Sequence, residues 1–131
     1  MEFQPDNAKA LKNRCESYKS LMDADNALKD LNQLCILEPE NKYQFELRGE
    51  ILLDMRKWND SLINLNQAIK SQPNNAVTIS NRAKLYCKFR QYGLALKDTH
   101  QGTLIDPRNL VIRQQIMDLY RRNHQYDDAL P

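Results

Sequence analysis

The chain has 131 residues, of which 41% are hydrophobic and 27% charged, a composition that suits one ordinary domain slightly poor in core. Lys and Arg number 19 against 17 Asp and Glu, a net charge of +2 that lacks the basic surplus of a nucleic-acid binder. No apolar run approaches the roughly 18 residues of a membrane span, and residues 1–7 show neither the basic nor the apolar part of a signal peptide. The three cysteines are odd in number and widely spaced, which reads as free thiols in a reducing, intracellular (cytoplasmic) setting.

Taken in order along the chain, the strongest signal is a repeat. Pro5, Pro39, Pro73 and Pro107 recur every 34 residues, each followed two places on by Asn7, Asn41, Asn75 and Asn109. Arg14, Arg48 and Arg82 keep the same phase, as do Leu28, Leu62, Leu96 and Leu130. The resulting units are 1–7 (the tail of a preceding repeat or an N-terminal extension), 8–41, 42–75, 76–109, and 110–131 as a partial fourth. Each full unit is predicted to be two helices. The first starts after the Pro-x-Asn, because Asn accepts from an unpaired N–H of the first helical turn and proline blocks continuation of the helix before it. The stripe at helical spacing follows: Phe45, Arg48, Gly49 and Leu52 in the second unit, Ile79, Arg82, Ala83 and Tyr86 in the third. Small residues at Ala27, Ser61, Ala95 and Ala129 mark close helix approach, and Trp58, Tyr92 and Tyr126 are expected to open second helices. In the fourth unit a turn is expected near His124, followed by the start of a second helix.

These residues resemble the tetratricopeptide repeat, a 34-residue helix–turn–helix with bulky, small, aromatic and proline slots. The matching positions are Leu11, Cys15, Tyr18, Ala27, Leu31 and Pro39, then Phe45, Gly49, Leu52, Ser61, Leu65 and Pro73, then Ile79, Ala83, Tyr86, Ala95, Thr99 and Pro107. The departures are the turn positions, where the family usually has Gly and this chain has Met22, Arg56, Arg90 and His124, and Met117 in a slot that is normally small. The resemblance implies an all-α fold, a right-handed superhelix of stacked antiparallel helix pairs whose first helices line a concave face. It also implies a non-enzymatic scaffold that takes a peptide or partner helix in that groove.

By helical phase the groove residues are Lys9, Lys12, Glu16 and Lys19, then Tyr43, Glu46, Glu50 and Asp54, then Ser80, Lys84 and Lys88 with Asn81 beside them, and finally Asp118 and Arg122. Two readings stand: a groove for a peptide of alternating charge, or neighbouring helices that neutralise each other, Lys12 with Glu46 and Glu50 with Lys84. A subset of the family clamps the acidic tail of heat-shock chaperones with Lys and Asn on successive first helices. With Asn81 as the middle Asn, the helix before it supplies Glu46 and Glu50 and the helix after it Val111 and Gln115; one unit earlier Lys12 fits, but Glu16, Leu47, Val77 and Asn81 follow, so neither register gives a complete dicarboxylate clamp. Arg14, Arg48 and Arg82 form either a row of anion donors or stems packed in the stripe with the guanidinium on a neighbouring carbonyl or carboxylate.

No catalytic residues, metal ligands or cofactor are expected. His100 and His124 stand apart, the cysteines lie in different places, and Gly49, Gly93 and Gly102 form no phosphate loop. The chain reads as a slice of a longer array with an uncapped C-terminal end, which leaves a structural or self-associating spacer, or a regulatory slice of a larger multidomain protein, as the alternative function.

Overall fold

The computed structural model describes the backbone of residues 5–129 and the side chains of residues 7–122. All the described secondary structure is helical, and it falls into two units, residues 1–71 and 72–131. The first unit holds α1 (Pro5–Ser20), α2 (Ala24–Leu37), α3 (Tyr43–Asp54) and α4 (Trp58–Ser71). There α1 packs on α2, α3 on α4, and α2 on α3. The second unit holds α5 (Ala76–Lys88), α6 (Tyr92–Ile105) and α7 (Leu110–Ala129), with α6 packed on both α5 and α7.

The asparagines start three of the first helices. The Oδ1 of Asn41 accepts from the Tyr43 N–H at 2.9 Å, Asn75 from Val77 and Thr78, and Asn109 from Val111 and Ile112. Each thereby satisfies N–H groups that the helix itself leaves unpaired. At the first repeat the outcome differs: α1 begins at Pro5, not after Asn7. Proline is well suited to the first helical position, where its missing N–H would have had no partner.

The turns inside the hairpins are made without glycine. Met22, Arg56 and Arg90 all take left-handed backbone, with φ of 61°, 63° and 59°. Each closes a paired cap on the helix before it. Asp23 donates to the Tyr18 carbonyl and Met22 to that of Lys19; Lys57 donates to Leu52 and Arg56 to Leu53; Gln91 donates to Tyr86 and Arg90 to Cys87. This double bond is the usual answer to orphan carbonyls at a helix end, but it puts Cβ of a non-glycine residue against the following carbonyl.

Close packing follows the small slots. The Cys15 thiol donates to the Ala27 carbonyl, and the Ser61 hydroxyl donates to the Gly49 carbonyl at 2.6 Å. A Cβ on Gly49 would stand 2.5 Å from Leu65 Cδ2, so glycine there is required by the contact between α3 and α4. Gly102 opens room in α6 for Ile112 of α7, whose Cδ1 would lie 3.1 Å from an added Cβ. The most buried residues of α3 include Leu47 and Ile51, which lie outside the single stripe expected for that helix. The reason is that α3 packs against α2 on one side and α4 on the other, so one stripe cannot supply both contacts.

The turn expected near His124 is not made: α7 runs as one helix from Leu110 to Ala129. Continuing a helix adds one backbone hydrogen bond per residue, whereas turning requires left-handed backbone and a new nucleus. In the first three hairpins that cost is offset when Ala27, Ser61 or Ala95 buries itself against the first helix. In α7 the corresponding first-helix slot holds Met117, 60% exposed, where no small residue admits a close partner. The side chains of Tyr126, Ala129 and Leu130 lie outside the described residues.

Candidate functional site

In the first unit, α1 and α3 meet through polar and aromatic side chains on the face expected to bind. The Lys12 ammonium sits 4.0 Å from the centre of the Tyr43 ring, a cation held by the ring's electron-rich face. The Tyr43 hydroxyl donates to Glu16 Oε1 at 2.8 Å. Burial, this bond and the nearby carboxylates Glu46 and Glu50 together push the Tyr43 phenol well above its ordinary range, so it remains a donor. One helical turn further on, Lys19 is hydrogen-bonded and ion-paired to Glu50. Glu46 is buried, Glu50 is mostly covered, and Lys9 stays exposed.

In the second unit, α5 and α7 are joined on the equivalent face. The Ser80 hydroxyl donates to Gln115 Oε1 at 2.9 Å, and Gln115 Nε2 donates back to the Ser80 carbonyl. Asn81 is buried, while Lys84, Lys88 and Arg122 are exposed. Asp118 accepts from Gln114 one turn before it on α7. Of the expected residues, Lys12, Glu16 and Tyr43 come together with Lys19 and Glu50 beside them, while Ser80 meets Gln115, which was not among those expected. Among these contacts Lys12 lies on Tyr43, and Lys19 bonds Glu50.

The three in-phase arginines divide into two kinds. Arg14 makes a bidentate pair with Asp30 at 2.7 Å through both bonds, and Arg82 does the same with Asp98 at 2.8 and 2.7 Å. Both carboxylates are nearly buried, and the pairing raises the arginine pKa values further above their already high range. In the middle repeat the equivalent position is Asn64, whose amide is turned to the Asp60 carbonyl. Arg48 accordingly reaches back to α2, donating to Asn32 Oδ1 at 2.8 Å and to the Cys35 sulfur. The signal for the Asp partners was present in the sequence: Arg14 with Asp30 and Arg82 with Asp98 share a separation of 16 residues.

Burial pushes the Cys15 thiol up to about 11 and raises that of Cys87 as well, so neither is an activated nucleophile. Among the described residues no group of three His, Cys, Asp or Glu side chains could hold a metal ion. Nor is any helix among them long and apolar enough to cross a membrane.

The paired helices, their tight turns and their 34-residue phase define a helical-hairpin repeat domain. Solved structures give that class its particular form. The Sgt2 TPR domain from Aspergillus fumigatus matches 98% of this chain and 86% of its own length at 13% identity, with a TM-score of 0.85. The first TPR of Spaghetti (RPAP3), bound to HSP90 peptide SRMEEVD, matches 95% of this chain and 98% of its own at 15% identity, with a TM-score of 0.81. The TPR2B domain of yeast Sti1, in complex with pHsp70, matches 88% and 98% at 18% identity and a TM-score of 0.78. This chain has the fold of the tetratricopeptide-repeat domains. No protein-family model and no curated protein matches the sequence.

Proposed function

We propose that this chain is a non-enzymatic interaction scaffold that takes an extended peptide or a partner helix along its first helices, on the concave side of a right-handed superhelical stack. The observation that carries the reading is the pair of pre-set polar clusters on those helices, Lys12–Glu16–Tyr43 in the first unit and Ser80–Gln115 in the second. Side chains already fixed by one another lose little freedom when a ligand arrives, which favours binding. Lys9, Lys84, Lys88 and Arg122 are exposed beside them and supply steering charge. Two of the similar domains carry chaperone peptides, which supports the ligand class, a protein segment, and not its sequence.

A chaperone tail of the Glu-Glu-Val-Asp type is not the expected ligand. By sequence register, the first helix preceding Asn81 carries Glu46 and Glu50 at the positions where a clamp needs Lys and Asn, and Lys19 is already engaged by Glu50. Micromolar binding of a free Glu-Glu-Val-Asp peptide would overturn this part. For the scaffold itself, the test is recovery of a partner from a lysate of the source cells, repeated with Lys12→Glu, Glu50→Lys and Lys88→Glu. Loss of that partner with retained helicity supports the reading; a partner indifferent to all three places the site elsewhere. No turnover of a small molecule by the isolated chain is expected, and a cytoplasmic setting is proposed from its three free cysteines.

One observation favours a second reading, a self-associating spacer. Leu110, Val111, Met117 and Tyr120 on α7 are all at least half exposed. A strict monomer by light scattering at high concentration would remove it.

A further inference from the structure

No further inference is drawn: the strongest candidate, the exposed apolar face of α7 that carries Leu110, Val111, Met117 and Tyr120, is an unpartnered helix face, and nothing in the structure shows what covers it.

Discussion

Two of the hairpin turns hold an arginine in backbone that suits glycine, and relieving that misfit makes a clean test of the turn geometry. Arg56 and Arg90 are exposed at φ of 63° and 59°, so replacing them removes no buried contact. A non-glycine residue in this conformation costs about 1–2 kcal/mol. Glycine avoids that strain but loses about 0.5–1 kcal/mol through the greater freedom of the unfolded chain. The net gain is about 0.5–1 kcal/mol per turn. Arg56→Gly and Arg90→Gly together should therefore add about 1–2 kcal/mol, raising Tm by roughly 3–8 °C in a chain of this size. Urea denaturation followed by circular dichroism measures the gain directly, with the slope against urea expected to stay constant. Two controls isolate the cause. Arg56→Ala with Arg90→Ala removes the same charges and keeps the strain, so it should bring no gain. Gln67→Gly, exposed within α4, should cost about 1 kcal/mol, because there the backbone is right-handed. An alanine pair as stabilising as the glycine pair would refute the backbone argument and point to charge.

The remaining predictions concern the interior. Gly49→Ala should destabilise by about 1–3 kcal/mol, since the new Cβ meets the fully buried Leu65 at 2.5 Å. Gly93→Ala, with nothing within 4 Å in the first turn of α6, should instead stabilise by about 0.5–1 kcal/mol; the two Tm shifts should have opposite signs. Arg82→Met strands the buried Asp98 carboxylate and should cost about 2–4 kcal/mol, most of which the double variant with Asp98→Leu recovers. Arg14→Met should cost less by the same urea assay, because Arg14 is 60% exposed and water can reach its partner's rim. At alkaline pH the raised Cys15 thiol contributes stability that is complete below the ordinary thiol range near 8.5 and is lost as pH climbs towards 11. Cys15→Ser keeps a donor for the Ala27 carbonyl and should flatten the decline in ΔG over that range.

The helices and hairpins were legible because each rests on a local cause repeated in phase: an asparagine that caps, a small residue that admits a neighbour, a proline that stops. Trp58 and Tyr92 do open α4 and α6, as their positions implied. What the sequence could not supply were outcomes decided by competition. Asn7 has the caps' phase, yet Pro5 starts α1. His124 has the phase of the turns, yet α7 continues, with the bulky Met117 in the slot where the earlier first helices carry Cys15, Gly49 and Ala83. On the candidate face, helical phase brought Lys12, Glu16, Tyr43 and Glu50 to one side, but which cation meets which acceptor depends on side-chain reach across two helices. Tyr43 intercepts both Lys12 and Glu16, a contact that charge patterning alone does not anticipate.

The alternation of the arginine partners gives the chain a longer rhythm. The paired Arg and Asp return after 68 residues, twice the repeat, as does the near-copy of Gln4-Pro5-Asp6-Asn7-Ala8 in Gln72-Pro73-Asn74-Asn75-Ala76. The outer hairpins each carry an ionic latch of their own, while the middle one fastens its arginine to the helix before it. A fragment beginning at α3 would lose that anchorage, whereas one ending at α2 would keep its latch whole.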